Sequence, residues 1–195
     1  MKFNDATLAQ IYAANPIKNT WVSANAGSGK TRVLTDRVAR LLLNNTDPQK
    51  ILCLTYTKAA AAEMQNRLFD SLGKWAMLPD EELRTELKSL GENENTLSPD
   101  KIKQARTLFA AALETPGGLK IQTIHSFCDA LLRRFPLEAG VSPQFNMLEE
   151  RQAKQLRIEV VERMAQQSET SEIDMLAKHL TRLNTDDLTS EIVKK

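Results

Sequence analysis

Residues 24–31 of this 195-residue chain combine glycines, a lysine and a threonine in an order suited to binding a polyphosphate. Glycines allow a tight turn in which successive backbone N–H groups surround an anion. Lys30 is placed to reach the β- and γ-phosphates as the catalytic cation, and the Thr31 hydroxyl to bind Mg²⁺. The predicted ATP-binding residues of this loop are Ala24, Asn25, Ala26, Gly27, Ser28, Gly29, Lys30 and Thr31.

The residues around this loop support the same interpretation. A short apolar run, 21–24, predicts a buried strand before the loop, and the amphipathic run 32–43 predicts a helix after it. The positive N-terminal end of that helix would lie beneath the phosphates. The general pattern begins with Gly, whereas Ala24 stands at that position here. The alternative is a glycine-rich turn before an ordinary helix.

Two further groups of polar residues follow apolar runs that predict strands. Thr55, Tyr56 and Thr57 come after one run, and Thr123 and His125 end and follow another. Ligands gather at the carboxyl ends of parallel strands, where hydroxyls and an aromatic ring could hold a nucleic-acid backbone and stack a base. The alternatives are structural: Thr57 would cap a helix, Tyr56 would pack, and His125 would be a structural histidine.

The order of predicted elements indicates an α/β fold with a parallel sheet covered by helices on both faces. Predicted strands are 21–24, 51–55 and 119–123; predicted helices are 32–43, 59–72, 80–90, 100–114 and 126–134. Gly73 is expected to end the second of these helices. A turn is predicted at 116–118, and the chain beyond Leu148 is expected to be helical and charged.

The bulk composition is that of an ordinary globular protein. The net charge is only +1, but residues 1–60 hold eight Lys or Arg against three Asp or Glu, which suits a polyanionic ligand. Cys53 and Cys128 both lie in apolar surroundings in the sequence and are expected to be small buried residues. No segment reads as a signal peptide or a membrane span, so the cytoplasm is the expected location.

Together, the three polar groups resemble motifs I, Ia and Ic of superfamily 1 DNA helicases of the UvrD/RecB type. The form Ala-x-x-Gly-x-Gly-Lys-Thr is that group's own version of the phosphate loop, which accounts for Ala24. The segments 21–31 and 114–125 are most similar to the AddA family of helicase–nuclease proteins of double-strand break repair, in its alphaproteobacterial form. The resemblance runs from about residue 10 to residue 165.

This resemblance implies a P-loop, RecA-like domain that is incomplete in the chain. Its implied divisions are 1–73 for the first part of the ATP-binding domain, 74–118 for a helical insertion, 119–147 for the continuation, and 148–195 for the start of a helical subdomain. The implied cofactors are ATP and Mg²⁺. The implied partners are single- and double-stranded DNA and a partner subunit of the AddB type, with no membrane.

The resemblance also assigns roles to individual residues. Gln10 stands about where the family places the glutamine that reads the adenine edge, and Arg32 matches a residue that lies against the base. Tyr56 matches an aromatic residue that stacks on single-stranded DNA. The remaining positions fall where contacts to the DNA backbone occur: Thr55, Thr57, Thr123 and His125.

Several parts of a complete helicase are not found in this sequence. The Asp-Glu-x-Gln motif that holds Mg²⁺ and activates water is absent, and the pair Glu149-Glu150 has no preceding apolar strand. The second RecA-like domain, its arginine fingers and the nuclease are also absent. We therefore expect the N-terminal portion of a 3′-to-5′ helicase–nuclease, inactive by itself. A small P-loop kinase and a non-catalytic DNA-binding fragment are the alternatives.

Overall fold

The computed structural model describes residues 4–25, 27–148 and 150–166, and residue 190. Contacts divide the chain into two compact units, Met1–Leu131 and Leu132–Lys195. The elements are α1 (Asp5–Ala13), α2 (Lys30–Leu43), β1 (Leu52–Thr55), α3 (Lys58–Met77), α4 (Asp80–Ser89), α5 (Pro99–Leu113), β2 (Lys120–Thr123), α6 (Ile124–Arg134) and α7 (Glu150–Gln166).

The sheet consists of two parallel strands, β1 and β2, which confirms two of the three predicted strands. Their register places Thr55 opposite Thr123, so the carboxyl ends of both strands meet at one edge. Cys53 lies on a face that is buried in the core, whereas Leu52 and Leu54 on the other face are 43% and 40% exposed. Within the described residues, the prediction that helices cover both faces is therefore wrong.

The prediction of a buried strand at 21–24 is also wrong. These residues are irregular and exposed, and Trp21 is 93% exposed. A strand needs a hydrogen-bonding neighbour, and in the part of the chain that the structure describes β1 and β2 pair only with each other. A run of four apolar residues cannot form a strand without such a partner.

Helix α3 is the centre of the core and packs against α2, α5 and both strands. Its buried residues are Ala61, Met64, Leu68, Leu72 and Trp75. The predicted end at Gly73 is wrong, because this glycine stays helical and faces the Phe109 ring. The helix ends instead at Met77, where Leu78 is extended because Pro79 follows it.

The two helices predicted at 80–90 and 100–114 are confirmed as α4 and α5. Their buried residues join the same apolar core as α3. A turn in which Gly117 and Gly118 both have positive φ then leads into β2, as predicted. Cys53 is buried as expected, but Cys128 is exposed, which corrects the prediction for that cysteine.

The second unit contains the end of α6, an irregular stretch and α7. The guanidinium of Arg133 lies 4.8 Å from the centre of the Phe145 ring. Helix α7 confirms the helical character predicted beyond Leu148, whereas residue 149 and most of 167–195 lie outside the described residues. Among the described helices, none is long and apolar enough to cross a membrane.

Candidate nucleotide and nucleic-acid site

The glycine-rich loop has the backbone conformation that its sequence requires. Gly27 and Gly29 have φ values of +79° and +90°, a left-handed region that side chains with a Cβ rarely adopt. Helix α2 starts immediately after Gly29, and in the described part of the loop no side chain caps its first turn. The amide groups of that turn, which include Thr31, are therefore available to an anion. Ala26 lies outside the described residues.

The side chain of Lys30 lies inside its own loop. Its ammonium donates to the main-chain oxygens of Ala24 and Asn25, at 2.6 and 2.7 Å. The hydroxyl of Ser28 donates to the same Asn25 oxygen at 2.6 Å. These bonds place the predicted catalytic cation at the centre of the loop, where an incoming phosphate would exchange with the carbonyl oxygens.

Gln10 lies beside this loop although it is distant in sequence. Its amide Nε2 donates to the main-chain oxygen of Ser28 at 3.3 Å. A Cβ built on Gly29 would come within 3.0 Å of the same nitrogen, so the close approach depends on glycine. Asn4 caps the N-terminus of α1, which carries Gln10, by accepting a hydrogen bond from the Thr7 amide. The structure therefore brings the predicted adenine-reading residue to the phosphate loop.

Arg32 lies in a different cleft from Gln10. Its Nε is 3.7 Å from the Asp36 carboxylate, and both side chains line a cleft shared with Arg67 of α3 and Glu86 of α4. Burial raises the pKa of Asp36, although the nearby charges of Arg32 and Arg40 act in the opposite direction. This arrangement places Arg32 between α2, α3 and α4.

At the end of β1, Thr57 and Tyr56 have different surroundings. The Thr57 hydroxyl accepts from the Ala60 amide at 3.1 Å and caps α3, which confirms one of the structural alternatives. The Thr55 hydroxyl donates to the Thr57 main-chain oxygen at 3.0 Å. Tyr56 is 81% exposed, so the alternative that it packs in the core is wrong.

At the end of β2, Thr123 is buried and participates in the first turn of α6. Its hydroxyl accepts from the Ser126 amide at 3.1 Å and lies 2.9 Å from the Ser126 hydroxyl. His125 is exposed. Because the ends of β1 and β2 are adjacent, Tyr56 and His125 follow neighbouring strand ends on the same side of the sheet.

Sequence analysis missed two buried or half-buried arginines on α2. Arg37 donates to the main-chain oxygens of Asn15 and Lys18, at 2.5 and 2.7 Å. Arg40 donates to the main-chain oxygen of Ile11 at 3.1 Å. The available signal was that both arginines stand among the apolar positions of an amphipathic helix, where a cation needs buried partners.

Comparison with known proteins gives a consistent result. The family model of the UvrD/REP helicase N-terminal domain matches residues 5–195. The chain is 31% identical over 172 residues to the ATP-dependent helicase/nuclease protein AddA of Listeria monocytogenes serotype 4a (strain HCC23). It is 30% identical over 166 residues to the protein of that name from Clostridium beijerinckii, and 33% identical over 152 residues to that from Desulforamulus reducens.

These alignments cover most of this chain but little of each relative. They include 87%, 84% and 75% of the chain, but 12%, 11% and 10% of the respective relatives. The chain therefore spans about a tenth of the length of the curated relatives it matches. Resemblance to the alphaproteobacterial form stays a prediction.

Proposed function

This chain belongs to the UvrD/REP helicase family, and we propose that it forms the ATP-binding N-terminal part of a DNA helicase–nuclease. The whole protein would translocate 3′ to 5′ on DNA at the expense of ATP, in double-strand break repair and recombination. The observation that carries this proposal is the loop itself. Its two left-handed glycines precede an uncapped helix, and Gln10 lies beside it.

The residues of the loop fit a nucleoside triphosphate. The backbone amides at the start of α2 and the Lys30 ammonium would bind the phosphates, while Gln10 would read the adenine edge. The Thr31 hydroxyl would be a ligand of Mg²⁺. This ion commonly takes substrate phosphates and water as its other ligands. Among the described residues, no group of three or more His, Cys, Asp or Glu could hold a metal.

DNA would bind at the edge where β1 and β2 end. Tyr56 is exposed enough to stack on a base, and His125 is exposed at the neighbouring strand end. Thr55, Thr57 and Thr123 are proposed to contact the DNA backbone through this same edge. Single-stranded DNA would run along it, and double-stranded DNA would be the substrate of the whole protein.

The remaining features of the proposal concern the whole protein. We propose a cytoplasmic location, a partner subunit of the AddB type, and domain divisions at 1–73, 74–118, 119–147 and 148–195. Arg32 is proposed to lie against the base. Because Arg32 lies in the cleft between α2, α3 and α4, this role requires its side chain to turn away from Asp36.

ATP hydrolysis with and without single-stranded DNA tests this proposal. The whole protein is expected to hydrolyse ATP faster when DNA is added, because DNA binding and ATP turnover are coupled in a translocase. A small P-loop kinase would instead transfer phosphate to a metabolite and ignore DNA. Residues 1–195 alone should hydrolyse ATP no faster than a buffer control, and DNA-stimulated turnover by that fragment would contradict the expected dependence on further domains.

A further inference from the structure

The position of α1 depends on polar contacts rather than on apolar burial. None of its nine residues is buried, and only Ala14 directly after it is fully enclosed. A helix of this length is unstable by itself in water. Contacts with the rest of the unit must therefore keep α1, and the Gln10 side chain it carries, beside the glycine loop.

Two arginines of α2 supply these contacts from one side. Arg37 donates to the oxygens of Asn15 and Lys18, and so fixes the segment that leaves α1. Arg40 donates to the oxygen of Ile11 inside α1 at 3.1 Å. A guanidinium presents several donors in a rigid fork, which suits it to holding separate carbonyl oxygens in one geometry.

The connection between α4 and α5 supports α1 from another side. Gly91 has a φ of +91°, and a Cβ at this position would collide with Cγ2 of Ile11. The next residue, Glu92, accepts from Arg40 at 3.2 Å and from Lys101 at 2.7 Å. The Glu92 carboxylate therefore fixes the Arg40 guanidinium that holds α1, and the absence of a side chain at Gly91 lets the chain approach.

We propose that Arg37, Arg40 and Gly91 are positioning residues for nucleobase selection. They hold α1 against α2, so that the Gln10 amide stays beside the loop at Ser28. Phosphates and base are then read by separate elements, which are joined chiefly by these contacts. The proposal rests on the proposed role of Gln10 in reading adenine.

Two substitutions test the proposal without leaving a buried charge unpaired. Arg37→Gln removes the fork that binds the segment after α1, and Gly91→Ala introduces the methyl group that collides with Ile11. Lys74→Met is the control for the first, because the exposed Lys74–Glu86 pair lies between α3 and α4. Gly117→Ala is the control for the second, because Gly117 has a similar φ of +76° but open space around its Cβ position.

Amide hydrogen exchange on residues 1–195 provides the first measurement, and it needs no nucleotide. Both substitutions should accelerate exchange of the α1 amides by about tenfold or more, while the amides of α3 keep their protection. Both controls should leave α1 unchanged. If Arg37→Gln also exposes α3, the protein has unfolded more widely and Gly91→Ala decides. Unchanged α1 exchange in Gly91→Ala would overturn the proposal.

Nucleotide affinity of the whole protein provides the second measurement. Both substitutions should reduce the preference for ATP over GTP by about tenfold, as Gln10→Ala should, because a misplaced hydrogen-bonding group no longer discriminates. Affinity for inorganic tripolyphosphate should stay unchanged. An intact base preference together with mobile α1 amides would refute the positioning role. Unchanged tripolyphosphate affinity in Lys30→Ala would instead refute the proposed function of the loop.

Discussion

Replacing Tyr56 with alanine separates a DNA-stacking role from a structural one. The residue follows β1 directly and precedes Thr57, whose hydroxyl caps α3. Its side chain is 81% exposed, so the protein itself makes little use of the ring. We therefore expect Tyr56→Ala to weaken binding of single-stranded DNA while leaving the fold and the affinity for ATP unchanged.

The exposed fraction sets the size of both effects. Full burial of a large apolar side chain is worth about 1.5–3 kcal/mol, and burial of the remaining fifth is worth only about 0.5 kcal/mol. A base stacked on an aromatic ring is worth about 1–3 kcal/mol, which corresponds to a loss of roughly 5- to 150-fold in DNA affinity. The expected loss in binding therefore exceeds the expected loss in folding free energy.

Fluorescence anisotropy with a labelled oligonucleotide measures the first quantity, and urea denaturation measures the second. Met77→Ala is the matched control, because Met77 is also a large exposed side chain, 85% exposed at the other end of α3. It should change neither quantity appreciably. Unaltered DNA affinity in Tyr56→Ala, accompanied by a clear loss of folding free energy, would refute the stacking role.

Three further substitutions or reactions have defined outcomes. Lys30→Ala should reduce ATP turnover of the whole protein by about 10²-fold or more in a phosphate-release assay, because it removes the cation facing the transferred phosphate; wild-type turnover would contradict this role. Leu68→Ala should lower the free energy of unfolding by about 2–5 kcal/mol in urea, since Leu68 is fully buried in the core. A thiol reagent at pH 8 should modify exposed Cys128 in the folded protein but Cys53 only after unfolding, because burial raises the pKa of Cys53 and so lowers its thiolate fraction; rapid modification of both thiols would refute that difference.

The elements that the sequence predicted correctly depend on local signals. The strands β1 and β2 are continuous apolar runs between turn residues, and α5 begins at Pro99 after the capping residue Ser98. The cap at Thr57 was also readable, because a hydroxyl residue directly precedes a strongly helical segment. Signals of this kind need no knowledge of the rest of the fold.

The incorrect predictions concern segments whose structure depends on distant partners. A strand at 21–24 would require a neighbouring strand, and no local pattern reveals whether one is present. Gly73 carries a local stop signal, but the helix continues because this residue packs against Phe109 and no residue with a fixed non-helical φ or ψ follows until Leu78. Tertiary packing outweighs the weak helix propensity of one glycine.

Contacts of Arg37 and Arg40 were unpredictable for the same reason. Their acceptors in and after α1 are main-chain oxygens 19 to 29 residues away, and Glu92 lies 52 residues from Arg40. Main-chain oxygens carry no sequence signature, since every residue has one. Only the presence of arginine among apolar positions of α2 indicated that buried partners must exist.

The capping bonds at the strand ends also rank the candidate DNA contacts. The hydroxyls of Thr57 and Thr123 each accept a hydrogen bond from the amide three residues ahead, and a phosphate that used them as donors would still leave those bonds in place. Thr55 already donates to the Thr57 oxygen, so a phosphate would have to replace that bond. Tyr56 and His125 carry no comparable constraint from their exposed positions. We therefore expect these two residues to contribute most to DNA affinity, and the threonines to contribute mainly by fixing where α3 and α6 begin.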